Sequence, residues 1–202
     1  MNKLLIYSPL ILTFLTVFIS NAQNKKAVLF FKDGTVKEGL GKIHNKSFVK
    51  FQLDKRSTPV LYHFAGLDSL KIYEEPEAVT YVYMKLSNKK EPKVLKQLQT
   101  GKVSLYYLIR GQNSSTRIGG NGPGEGGFQN VSSSAKKDIY VKKNDEDTAT
   151  YLSSLKLISK NFKETTTEYF KDCPNLVEKI SNHEFTKYDM RRIVDYYNST
   201  CD

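Results

Sequence analysis

The chain has no tryptophan, three histidines and two cysteines among its 202 residues, and these scarcities exclude several chemistries. His44, His63 and His183 stand far apart, none in an HExxH or other close ligand spacing, so no zinc site can be read from them. No G-x-S-x-G elbow is present. The tract Gly119-Gly120-Asn121-Gly122-Pro123-Gly124-Glu125-Gly126-Gly127 lacks the GK[ST] ending and the strand–loop–helix setting of a phosphate loop. Asp145-Glu146-Asp147 lacks the glycine and the bidentate glutamate of a calcium loop. Glu74 and Glu75 are adjacent carboxylates in what reads as a linker, whereas glycosidic chemistry needs two that face across a cleft. No catalytic residue, metal or cofactor is assigned.

Long apolar runs are scarce too, with one exception. Lys3 and the amino terminus precede an apolar stretch, Leu4–Ile19, and Ser20-Asn21-Ala22 supplies a small–x–small cleavage pattern. The run is short for a membrane span of about 20 residues, so residues 1–22 are expected to be a signal peptide. No cysteine follows the run, which argues against lipid anchoring. An exported protein meets an oxidising compartment, where an even cysteine count reads as a disulfide, here Cys173–Cys201.

Charge is unevenly placed. Residues 24–143 carry 22 Lys+Arg against 10 Asp+Glu, and residues 144–202 carry 8 against 11, within a net charge of +10. The basic front half fits an anionic partner or another envelope protein. Export makes nucleic acid an improbable partner, leaving membrane headgroups and acidic envelope polymers.

The period of the chain is at first that of strands. Ala27–Phe31 and Thr35–Ile43 flank Asp33-Gly34, a strong hairpin signal. Gly39 and Gly41 inside the return run predict a bulge or bend. Ser47–Leu53, Val60–Phe64 and Leu70–Tyr73 follow, so residues 23–75 are expected to form a small curled sheet or SH3-like barrel. Glu74–Glu77 reads as a linker. Residues 78–143 then read as a β-meander, opening with a strand, Val79–Leu86, that is apolar on both faces and so buried on both. A Gly-rich loop, 111–137, interrupts the meander's last hairpin and reads as a mobile insertion. The strand ends beside it hold Tyr106, Arg110 and Arg117 with Tyr140, Lys142 and Lys143. Aromatic faces mixed with positive charge suit sugar acids, phosphate headgroups or a protein, and these six form the candidate binding rim.

From about Tyr151 the period changes. Leu152, Leu155, Ile158, Phe162 and Tyr169 fall at helical spacing, Cys173-Pro174 opens a second helix, and Thr186-Lys187-Tyr188-Asp189 has capping-box form before a third. Residues 150–202 are therefore expected to be a three-helix tail closed by the disulfide. The class is α+β: an antiparallel β-rich front part, then a helical tail.

Four short motifs carry a resemblance: Asn21-Ala22-Gln23, Gly101-Lys102-Val103-Ser104-Leu105-Tyr106, Cys173-Pro174, and Tyr196-Tyr197-Asn198 with Cys201. In these the chain resembles secreted proteins of Bacteroidota of unknown function. The resemblance implies a periplasmic or outer-envelope setting and no catalytic residues. In such a setting the N-x-[ST] triplets at Asn45, Asn113, Asn130 and Asn198 say nothing about glycosylation. The expected function is a non-catalytic envelope protein binding through its basic β surface; the alternative is an envelope hydrolase whose acidic residues meet only in three dimensions.

Overall fold

The computed structural model describes residues 24–74, 76–110, 136–155 and 161–201. The expected signal peptide, the glycine tract and Arg117 lie outside the described residues. Ten strands form one continuous sheet and three helices follow. The front of the sheet comprises β1 (Lys25–Phe31), β2 (Val36–Ile43), β3 (Phe48–Gln52), β4 (Val60–His63) and β5 (Leu67–Glu74), in the order β5-β1-β2-β3-β4. This is the curled antiparallel sheet expected there, with a 3-10 turn, Phe64–Gly66, between its fourth and fifth strands. The exposed His63 ring anchors that turn, Nδ1 accepting from the Ala65 N–H at 2.9 Å.

The expected Asp33-Gly34 hairpin forms, without positive φ at both turn residues. Gly34 alone has it, at 86°, while Phe31 and Thr35 bond across a three-residue loop that Asp33 Oδ1 braces from the Thr35 N–H. Gly39 and Gly41 make no bulge, which corrects that expectation, since β2 pairs with β1 and β3 in unbroken register. They make room instead. A Cβ at Gly39 would run into the Gln52 carbonyl oxygen and lie 2.8 Å from Phe51 Cζ. Phe51 thus packs across the glycines in a core with Ala27, Leu29, Val49, Phe64, Leu67, Leu70 and Ile72.

Across the stretch expected to be a linker, Glu74 pairs with Glu77 and the sheet runs straight on into β6 (Glu77–Leu86). β6 pairs next with β7 (Lys93–Gln99), followed by β8 (Val103–Arg110), β9 (Lys136–Lys143) and β10 (Thr148–Ser154). β10 then returns to β6 as a short parallel ladder, Thr148 against Lys85 and Ala149 against Leu86. That pairing closes β6–β10 into a ring with β6 shared between the two parts. The sharing explains why β6 is apolar on both faces. Tyr81 and Tyr83 face the front core, while Val82, Met84 and Leu86 join Leu95, Tyr106, Tyr140 and Ala149 in the core of the ring.

The helical period read from about Tyr151 is also corrected. Residues 148–154 form strand β10, and α1 begins only at Phe162. Leu152 suits both templates, and the ladder partners on β9 and β6 decide for the strand. α1 (Phe162–Tyr169), α2 (Pro174–Ser181) and α3 (Met190–Thr200) cover the outer face of β8–β10. There Val103, Leu105, Ile139, Val141 and Leu152 meet Phe170, Leu176, Ile180, Ile193, Val194 and Tyr197 in a third core. Pro174 opens α2, as expected. His183 ends it in the left-handed conformation (φ 62°), with the bonds His183 N–H to Ile180 and Glu184 N–H to Lys179 that close a Schellman motif. Before α3, Asp189 Oδ2 accepts from the Thr186 N–H at 3.0 Å, the acidic half of the expected box. Cys173 and Cys201 are bonded, joining the start of α2 to the end of α3 with Cα atoms 5.6 Å apart.

Candidate binding surface

The rim residues do not form a surface together. Successive strand residues point to opposite faces, and on β8 and β9 both faces are covered, one by the ring core and the other by the helices. Tyr106 and Tyr140 take the ring side and are 4% and 0% exposed. Burial accordingly pushes the Tyr106 hydroxyl up, against hydrogen bonds with Ser104 and Gln97 that lower it. The Tyr140 hydroxyl donates to Asn88 Oδ1 at 2.9 Å. These two are core residues, and the rim reading is corrected for them. The side chain of Arg110 and all of Arg117 lie outside the described residues.

The two lysines of the rim are structural as well. Lys142 Nζ donates to the carbonyls of Lys143 and Glu146, clamping the β9–β10 turn. Lys143 Nζ donates to Asp172 Oδ2 at 2.7 Å and lies 5.4 Å from the ring centroids of both Tyr169 and Tyr197. Tyr197 donates to the same Asp172 oxygen at 2.6 Å, and Tyr169 to Glu146 Oε2 at 2.8 Å. Burial opposes charge on Lys143 and Asp172, but their mutual hydrogen bond and that of Tyr197 outweigh it, raising the ammonium and lowering the carboxyl. Burial and the Glu146 carboxylate together push the Tyr169 hydroxyl up. The cluster fastens the β9–β10 turn to α1, to the α1–α2 connection and to α3, engaging Lys143 Nζ, both tyrosine hydroxyls, Asp172 Oδ2 and Glu146 Oε2.

Other candidate chemistry fares no better. An open groove of about 740 Å³ runs along α1, lined by residues that include Thr150, Asn161, Glu164, Glu168, Tyr169 and Val177. Its two glutamates lie on one exposed helix face, four residues apart, and Glu168 is paired with Lys171 at 2.8 Å. A hydrolytic pair needs carboxyls on opposite sides of a bond; these share one side. Among the described residues no group of His, Cys, Asp or Glu is gathered to hold a metal ion.

What sequence reading missed is on the front sheet. The register places Lys71 opposite Val28, Lys26 opposite Leu40, Lys42 opposite Lys50, and Lys50 opposite Leu61. Each step keeps the same face, and it is the face turned away from the Leu29–Phe51 core. Four lysines from four adjacent strands, β5, β1, β2 and β3, therefore form one row. The row is diagonal, because Lys26 stands two residues along from the level of Lys71 and Lys42 two further; with strands about 4.8 Å apart and about 3.3 Å per residue, it spans roughly 20 Å. Glu38, opposite Val28, is an outward carboxylate on β2, and Asp68 is exposed at the bulge of β5. Lys26, Lys50 and Lys71 have no ion-pair partner among those residues. Lys26 and Lys71 instead flank the exposed ring of Tyr73, at 5.1 and 6.0 Å from its centroid. Like charges directly opposite across a ladder disfavour the pairing, so Lys42 against Lys50 is held at some cost in stability. The alternation of each strand held this signal, but only the register could align the four.

Fold and surface together describe an α+β protein with a disulfide-closed helical tail and a basic outward face on its front sheet. No helix among the described residues is long and apolar enough to cross a membrane. No protein-family model matches the chain, and no curated protein or solved structure matches it either.

Proposed function

We propose that the chain is an exported, non-catalytic envelope protein that binds an anionic partner on the outward face of its front sheet. The lysine row Lys71–Lys26–Lys42–Lys50, with Glu38 as its outward counter-charge, is the observation that carries this reading. Long lysine stems lie over apolar neighbours such as Val28 and Leu40 and keep their ammonium groups in water. Tyr73 adds an aromatic face between two of the charges. The apolar leader, the disulfide and the resemblance to secreted Bacteroidota proteins support a periplasmic or outer-envelope location, where acidic polymers, headgroups and acidic protein surfaces are at hand.

The test is salt-dependent binding to polygalacturonate, to vesicles containing anionic phospholipid, and to poly-glutamate. Exposed charges act within about 10 Å at 0.1 M salt, so binding at low ionic strength should weaken at least tenfold in strong salt. The triple variant K26E/K50E/K71E should lose it. No binding to any of the three at low salt, or binding indifferent to salt and to charge reversal, refutes the proposal.

A further inference from the structure

The sheet has two ends, and they are treated differently. β10 is sealed by its return to β6. β4 stands last in the strand order and pairs with β3 alone, so among the described residues its outer backbone N–H and C=O groups are the sheet's open edge. Proteins ordinarily guard such an edge with charged side chains. β4, Val60-Leu61-Tyr62-His63, carries no lysine, arginine or carboxylate. Val60 and Leu61 point to opposite faces and are 48% and 52% exposed.

The charges stand around the edge instead, and they are positive. On the inward face, Lys37 Nζ donates to the Tyr62 hydroxyl at 3.0 Å and lies over the rings of Tyr62 and Phe31. Lys50, on the outward face, is directly opposite Leu61. Lys55 and Arg56 sit exposed in the loop that leads into the strand. Two carboxylates are near, and both are engaged. Asp54 accepts from the backbone N–H groups of Arg56 and Ser57, and Asp33, which feels the Lys37 charge, from that of Thr35.

We propose that the anionic partner is an extended, acid-rich polypeptide segment that adds to β4 as an eleventh strand. Main-chain bonds along the edge would supply affinity, with side chains read alternately on the two faces. One phase of the segment meets Val60, Tyr62 and Lys37; the other meets Leu61, His63 and Lys50. Each face offers an apolar contact and a cation, which fits aliphatic residues interspersed with glutamate or aspartate. A second copy of this chain fits poorly, because pairing β4 with β4 would set Lys37, Lys50, Lys55 and Arg56 against their own counterparts. The proposal rests on the basic-surface reading above, narrowing both its partner and its place.

The probe is a capped, fluorescent octapeptide, Glu-Glu-Val-Val repeated twice so that each face of the strand carries both residues, followed by anisotropy at low salt with the full mature chain. A second probe has the same sequence and charge but N-methyl groups on its four central residues. Strand addition predicts at least tenfold weaker binding of the methylated probe, and a similar loss for the exposed-site variant Leu61→Glu, whose fold is checked by its melting temperature. Equal binding of both probes overturns strand addition while leaving the basic surface standing, and so does loss with K26E/K71E but not with Leu61→Glu. Failure of the unmethylated probe to bind overturns it when anionic vesicles or polygalacturonate do bind. Absence of all binding at low salt removes both proposals. Self-association in sedimentation that Leu61→Glu abolishes assigns the edge to a second copy and overturns the acidic segment.

Discussion

Where β7 bulges away between Gln97 and Gln99, the beginning of β8 loses its neighbour on that side, and a side chain of α3 takes the place of a strand. Asn198 Oδ1 accepts from the Val103 N–H at 2.8 Å, and its Nδ2 donates to the Val103 carbonyl at 2.9 Å. Val103 is fully buried, so Asn198→Ala orphans one donor and one acceptor. Each unmade buried bond costs about 1–3 kcal/mol, which predicts a loss of about 2–5 kcal/mol. Asn198→Asp keeps the acceptor but turns an oxygen toward the Val103 carbonyl, so it should cost at least as much as alanine. Gly101 extends the argument, because a Cβ there would collide with the Asn198 amide. Gly101→Ala should therefore hurt the native chain and hurt the Asn198→Ala background much less. Neighbours in contact couple by about 0.5–3 kcal/mol in such cycles. Urea unfolding of the four proteins, with the disulfide intact, measures all of this. An Asn198→Ala loss under about 0.5 kcal/mol, or an additive cycle, would refute the account of this joint.

The disulfide spans 28 residues, so Cys173→Ser/Cys201→Ser should lower the unfolding free energy by about 3–4 kcal/mol in the chain-entropy model; a loss below about 1 kcal/mol contradicts it. Gly39→Ala, which drives a Cβ into backbone, should destabilise more than Gly34→Ala, which meets open space and carries only the strain of φ 86°, about 1 kcal/mol; reversed order in thermal melts would show that Phe51 yields. Asp172 has a lowered pKa, so its contribution is present above the ordinary value of 3.8 and fades as pH falls through the lower folded value. The stability difference between the native chain and Asp172→Asn should thus be level from about pH 5 to pH 9 and shrink in acid. With the Asp172 side chain 44% exposed, solvent screening holds the ion pair to about 1 kcal/mol or less. A difference unchanged down to pH 2 removes the ion pair from the explanation. Denaturant midpoints across the pH range read it.

Features written in adjacent residues were legible. Cys173-Pro174 marks a helix start because proline is preset for the first turn, and Thr186 to Asp189 marks another. The alternation of Val103, Leu105 and Tyr107 against Ser104, Tyr106 and Leu108 marks a strand. What alternation cannot say is which face meets water. A lone half-buried sheet would have put Tyr106 and Tyr140 outside, but the ring core covers one face of β8 and β9 and the helices the other. That double cover depends on β10 returning to β6 across more than sixty residues, and no local pattern announces it. β10 itself was misread for the same reason, its Leu152 fitting a helix until partners on β6 and β9 are known. The candidate rim fails at Tyr106 and Tyr140 for that reason. The lysine row went unseen because its members belong to four strands whose register lies between segments.

Three short motifs singled out in the sequence, Gly101–Tyr106, Cys173-Pro174 and Tyr196-Tyr197-Asn198 with Cys201, come together in space. Gly101 lies under the Asn198 amide, Lys102 Nζ donates to the Cys201 carbonyl, Val103 takes both bonds from Asn198, and Cys201 is bonded to Cys173. Within the described residues these motifs make one joint, where α3 is docked onto the start of β8. Residues of that kind constrain how the tail is held and impose nothing on β1–β5, where the lysine row and the open edge of β4 lie. A protein could keep the joint and change the charges on its front sheet without disturbing the fold, since Lys26, Lys50 and Lys71 engage no carboxylate there. The joint therefore bears on how the tail is held, and partner choice has to be argued separately, from the front sheet.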